Sequence, residues 1–167
     1  PRTPGPLRRG SLVRGNAYCF LDRYSYLDEQ PFARGTFGRV HRCVDSLAQI
    51  PRAVKRITVP EEEMLAEALS SEICTLGALE HPHIVRLIEY FVQDGEVLLV
   101  MELLGGPSLG DRVSGEGRFG EALSVRCLRH MLKALLCCHC QGIAHNDVSS
   151  WNFRFQSPAP EASLKMV

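Results

Sequence analysis

The order of hydrophobic patterns between residues 24 and 104 constrains this chain more than any other feature. Strand-like alternation fills 24–58, broken by "RGTFGR", and "PRAVKRITV" reads as the third strand of that stretch. The next segment, "PEEEMLAEALSSEICTLGALE", reads as a helix. Pro60 suits its first turn, and Glu61, Glu62 and Glu63 sit where the helix dipole is positive. Met64, Leu65, Leu69, Ile73 and Leu76 recur at helical spacing and give an apolar face. Two further strands, "HIVRLIEYFV" and "EVLLVMEL", are joined by the turn "QDG". Five strands with one inserted helix make a small sheet lobe.

The pattern then changes to mostly helix. After "GGPS" the sequence predicts a short helix near 108–114 and a long one near 120–141. In the long one Val125, Leu128, Met131, Leu132 and Leu135 recur at three- and four-residue intervals. The tail "NFRFQSPAPEASLKMV" reads as two short strands around a Pro-containing turn. The expected class is α+β, with a basic tail over 1–23, a sheet lobe over 24–104 and a helical lobe over 105–167. Residues 1–17, rich in Pro, Gly and Arg, are expected to be disordered. Arg2, Arg8, Arg9 and Arg14 precede any acid, whereas Glu61, Glu62, Glu63, Glu67, Glu72 and Glu80 fall in a stretch without Lys or Arg. Solvated charge on both segments explains this, as does a tail folded over an acidic helix. "LRRGS" also sets two Arg ahead of Ser11, the layout that basophilic kinases favour.

Hydrophobic content of 45% and charged content of 23% are those of an ordinary globular protein. Zero net charge argues against a nucleic-acid binder, and no apolar run is long enough to span a membrane. The start is neither an initiator Met nor a secretory signal, so the chain is expected to be a piece of a longer product. Seven cysteines, an odd number without framework spacing, point to a reducing setting, intracellular and cytoplasmic. Cys137 and Cys140 form a CxxC, but no second pair completes a zinc set; a Cys-rich helix end packed in a core is the expectation.

Five segments now stand in order: "ARGTFGRV", "AVKRI", "SSEICTLGALEHPHIVRL", "LVMELLGGPSL" and "GIAHNDVSSWNFRF". Together, from about Tyr24 to Val167, they resemble a eukaryotic Ser/Thr protein kinase domain of the calcium-dependent and calmodulin-dependent branch. The resemblance implies a five-stranded N-lobe sheet with its αC helix, followed by the first part of a helical C-lobe. It implies ATP and Mg²⁺ as cofactors and a protein substrate or protein partner. Gly35 and Gly38 would let backbone N–H groups approach phosphates, with Ala33 at the place of the family's first glycine. Val40 would cover the adenine, and Ala53 would join it in the nucleotide site. Lys55 would contact the α- and β-phosphates, held by Glu72. Met101 would back the adenine pocket, and Glu102 and Leu104 would offer main-chain groups to the adenine edge. Asp147 would orient the substrate hydroxyl and accept its proton, and Asn152 would hold a Mg²⁺. Taken without the family, the glycines make a β-turn, Lys55 a snorkelling strand lysine, Glu72 a solvated carboxylate, and Asp147 and Asn152 turn-formers.

Four departures from the family pattern point one way. Ser149 replaces the lysine that neutralises the moving phosphoryl group, a loss of roughly 3 kcal/mol, about two decades in rate. Asn146 replaces the arginine that reads a phosphorylated activation loop. Trp151 and Ser108 replace two carboxylates that receive ribose or a basic substrate side chain, and Trp151 suits packing or partner binding better than catalysis. The chain stops at "SLKMV", where the family's D-F-G would follow, so this chain alone is expected not to turn over. The apolar face of the 120–141 helix is expected to need a covering partner. No EF-hand pattern occurs. A kinase domain fragment, a nucleotide-binding or scaffolding pseudokinase, and an inert fragment are the readings that remain.

Overall fold

The computed structural model describes residues 18–35, 38–59 and 61–167, leaving aside the side chains of 34–35, 63–68, 72 and 116. Residues 1–17 of the expected tail, with Ser11, lie outside the described residues, whereas 18–23 are described and Phe20 is buried in the core of the sheet. Described residues up to Ala78 together with Arg86–Leu103 form one compact unit; Leu79–Val85 and Leu104–Val167 form a second.

The first unit is an antiparallel sheet of β1 (Tyr24–Tyr26), β2 (Ala33–Gly35), β3 (Gly38–Asp45), β4 (Ile50–Thr58), β5 (Leu87–Gln93) and β6 (Glu96–Glu102), with α1 (Glu63–Ala78) inserted. These six segments occupy five positions, in the order β1-β3-β4-β6-β5, because β1 and β2 both pair with β3. They are two halves of one edge strand. Leu27 and Phe32 carry the ladder towards the gap by donating to Arg42 and Val40 carbonyls at 3.0 Å each. The five-stranded expectation therefore holds by position, with the first strand split.

Two hairpin turns have visible causes. Asp45 Oδ1 accepts the amides of Leu47 and Ala48 at 3.0 and 3.1 Å, folding the β3–β4 connection. Asp94 and Gly95, both at positive φ (51° and 73°), close β5 onto β6 as a two-residue Asp-Gly turn does.

Period-two alternation then sorts the side chains. Val54, Leu98 and Val100 join Phe20, Tyr24, Cys43 and Phe91 in one cluster. Ile57, Val97 and Leu99 join Leu87, Tyr90 and Ile73 in the other, with Leu69 and Leu76 of α1 against it. Leu69, Ile73 and Leu76 thus lie on the helix face expected from sequence, while the side chains of Met64 and Leu65 are outside the described set. The helix itself begins at Glu63, so Glu61 and Glu62 precede its first turn. The cause lies in β4: Val59 still donates to Gly95 O at 2.9 Å, and the chain must leave the sheet before it can coil.

A register shift between Leu87 and Glu89 in β5 turns a glutamate inward. Glu89 is 5% exposed, receives the Tyr24 hydroxyl and lies 3.3 Å from Arg23. Arg23 also reaches the buried Asp45 at 2.9 Å. Sequence reading missed this network, because alternation alone does not place a Glu inside.

The second unit contains α2 (Leu109–Glu116), α3 (Glu121–Cys140) and the hairpin β7 (Phe153–Phe155) with β8 (Leu164–Met166). Ser108 caps α2: its Oγ accepts Asp111 N–H at 2.9 Å, and Asp111 answers by accepting Ser108 N–H at 3.2 Å. The core joins Leu109, Cys127, Ala134 and Cys138 to Phe153, Phe155, Leu164 and Met166, with Leu79 and Ile84. Small residues on α3 let it approach the hairpin closely. Its bulkier set lies elsewhere: Val125, Leu128 and Leu132 are 48–56% exposed, while Met131 and Leu135 pack against the core. The helix end is only partly buried, with Cys138 inside and Cys140 exposed.

Candidate functional site

The register of four strands sets Ala33 opposite Val40, Val40 opposite Lys55 and Lys55 opposite Leu99. Ala53, two residues from Lys55, pairs with Met101. Directly opposed residues share a sheet face, as do residues two apart. Ala33, Val40, Ala53, Lys55 and Met101 therefore line the α1 side of the sheet. Lys55 is half-buried there and Ala53 buried. Glu72 lies on α1, but its side chain is outside the described set, so the expected pairing with Lys55 is too.

Gly35 pairs with Gly38 across the hairpin mouth, and the intervening 36–37 lie outside the described residues. Gly38 has a local reason to be glycine. A Cβ there would lie 2.1 Å from the Arg56 carbonyl oxygen.

Glu102 ends β6, donating its backbone N–H to Arg86 O at 3.1 Å while its carboxylate accepts Arg86 N–H at 2.8 Å. Leu104 is buried in the second unit. Gly106, which sequence reading did not single out, is fixed by crowding: a Cβ would lie 2.5 Å from Ser157 O and 2.7 Å from Phe155 Cβ.

The loop of the second unit is organised around one acid. Asn152 donates to Asp147 through its side-chain amide, and Asp147 N–H donates to His145 Nδ1 at 3.3 Å. Asn146 sits between them at φ 60°, a left-handed conformation that Asn tolerates better than most residues. Ser149 leads into a single 3-10 turn, Ser150–Asn152, that carries Trp151. The Trp151 indole lies on α2: a Cβ at Gly110 would be 2.7 Å from two of its ring carbons. That ring is 59% exposed and borders an uncharged groove of about 320 Å³ lined by Leu109, Val113, Phe119, Leu128 and Met131. Among the described residues no group of three or more His, Cys, Asp or Glu is arranged to hold a metal ion.

The family model described as "Protein kinase domain" matches residues 26–166. The chain belongs to the protein kinase family. Within that family, calcium-dependent protein kinase 3 of Plasmodium yoelii yoelii is 29% identical over 162 residues, covering 96% of this chain and 29% of that kinase. Human calcium/calmodulin-dependent protein kinase type IV is 33% identical over 139 residues, 83% of this chain and 29% of that kinase. The kinase domain also superposes on a twitchin kinase fragment of C. elegans with a TM-score of 0.81 at 28% identity, covering 93% of this chain and 34% of that one. It is a Ser/Thr protein kinase domain related to the calcium-dependent group, and it spans under a third of the length of these two curated relatives. No described helix is long and apolar enough to cross a membrane.

Proposed function

We propose that this domain binds ATP on the α1 face of its sheet and carries a catalytic loop with weakened power to transfer the γ-phosphate to a protein Ser/Thr. The reading rests on one observation: Ala33, Val40, Ala53, Lys55 and Met101 fall in register on a single face. A cation among small and apolar residues suits a nucleotide, the ammonium meeting phosphate and the apolar patch meeting the base. Asn152 suits a Mg²⁺ ligand, because its amide nitrogen is spent on Asp147 and its oxygen is the donor type a hard cation takes. Bound Mg²⁺ would supply charge neutralisation on the phosphates. Asp147, exposed and held by Asn152, suits the role of accepting a hydroxyl proton.

Ser149 and Trp151 support the second reading, a pseudokinase acting by nucleotide binding or scaffolding. A hydroxyl cannot replace the family's ammonium at 149, and an indole at 151 supplies no carboxylate to pair with a basic side chain. The same two changes would make any residual transfer slow and indifferent to basic substrates.

A thermal-shift titration with ATP, with and without Mg²⁺, tests the binding claim. An ATP-dependent rise that Lys55→Ala diminishes supports it; no rise, or an identical one in the variant, rejects it. Turnover of a basic peptide at ordinary kinase rates would reject the weakened-transfer claim.

A further inference from the structure

The second unit holds a pair of histidines that the kinase reading does not use. His83, from the segment ahead of β5, and His130, from α3, stack with ring centroids 3.9 Å apart and planes at 19°. Both grip the same residue of β8. His83 Nδ1 lies 3.0 Å from Leu164 O, and Leu164 N–H points at His130 Nδ1 across 3.2 Å.

The partners fix the tautomers. A carbonyl oxygen only accepts, so His83 carries its proton on Nδ1, with Ser163 Oγ 3.2 Å from the same nitrogen. A backbone N–H only donates, so His130 Nδ1 is bare and its proton is on Nε2. His83 gaining a second proton takes it on Nε2 and keeps its bond. His130 gaining one takes it on Nδ1 and loses the Leu164 amide. His81 Nδ1 is in the same position as His130, accepting the His83 amide at 3.1 Å.

We propose that the His83–His130 stack is a proton-operated clasp on β8, closed when both rings are neutral and opened when His130 takes up a proton. Charge around the stack works against uptake. His130 faces Arg126, Arg129 and Lys133 on its own helix as well as His83; His83 faces His81, Lys133 of α3 and Lys165 of β8. Burial, then these cations, push His130 down to about 4 from the ordinary 6.5. His83 and His81 are lowered as well, burial again first. A group whose folded value lies below its unfolded value stabilises above the unfolded value and loses that contribution as pH falls through the folded one. The clasp is therefore closed at neutral pH and opens between 6.5 and about 4.

Opening reaches the catalytic loop through the strand. Met166 N–H donates to His83 O at 2.8 Å, Val85 N–H to Met166 O at 2.7 Å, and Val167 N–H to Asn152 O at 3.0 Å. Releasing Leu164 loosens the ladder that holds Asn152. The clasp needs no bound nucleotide, so it stands apart from the ATP reading.

Hydrogen exchange at the Leu164 amide, corrected for intrinsic rates, tests the clasp on the intact chain between pH 7 and about 4. In the parent protein, protection falls by about tenfold or more as the pH drops. In His130→Gln, whose amide oxygen accepts the same bond without titrating, protection stays flat. No fall in the parent, or an equal fall in the variant, overturns the proposal. Should the variant fail to fold, the His130 Cε1–H resonance of the parent decides. A midpoint well below 6.5 that coincides with Leu164 release supports the clasp, and a midpoint at or above 6.5 overturns it.

Discussion

Asn152 donates its side-chain amide to both the backbone carbonyl and a carboxylate oxygen of Asp147, each at 2.8 Å. One residue thus fixes the loop backbone and the orientation of the acid together. Replacing it with Ala removes both bonds in an exposed setting, and we expect a loss of about 1 kcal/mol in urea unfolding. The Mg²⁺-dependent part of any ATP thermal shift should disappear, with the Mg²⁺-independent part intact. An unchanged Mg²⁺ response in Asn152→Ala would remove Asn152 from the metal site.

Position 149 offers a charge test. Ser149→Lys places an ammonium where the family holds one, and ATP affinity should rise about threefold, the scale of an exposed ion pair. AMP, which lacks the outer phosphates, should gain nothing. High salt should erase the difference. Equal gains for ATP and AMP, measured by calorimetry, would show that position 149 does not face the γ-phosphate.

The first unit rests in part on a charge pair whose acid is buried. Burial pushes the Asp45 carboxyl up, but the Arg23 guanidinium and the Ala48 and Leu47 amides outweigh it and hold the group below the ordinary carboxylate range. Because the folded value is depressed, this stabilisation is present above the ordinary value and drains away as pH falls through the folded one. Asp45→Ala should cost about 2–3 kcal/mol at neutral pH. The gap between variant and parent should close in strong acid, below the window in which the histidine clasp opens. A pH-independent gap in denaturation free energy would contradict the ion-pair account.

Trp151 is the single tryptophan of the chain, so its emission reports on one place. Gly110→Ala drives a methyl group into the indole, which must lift from α2. Emission should shift to the red and acrylamide quenching should increase. Stability should change little, since Ala gains about 1 kcal/mol of helix propensity over Gly against the lost ring contact. Emission identical to that of the parent would show that the ring does not rest on Gly110.

Much of this kinase domain could be read from residue order alone. Alternation and the Asp-Gly turn gave β5 and β6, helical spacing gave α1 and α3, and motif order gave the family, because each is a property of neighbours along the chain. Ser149, Asn146, Trp151 and Ser108 were also visible as departures, and the Ser108–Asp111 spacing carried a capping signal for α2 that was missed. Other features depended on what folding brings together. The start of α1 was set by the reach of β4 into the sheet, and the burial of Glu89 by a bulge that reverses its facing. Cys127, Ala134 and Cys138 became the inner side of α3 because only small residues admit the hairpin so closely. His83 and His130, from two separate stretches of the second unit's chain, became a stacked pair only when β8 ran between their polar atoms. Local periodicity records which way a side chain points relative to its neighbours; what it points at is decided by tertiary packing.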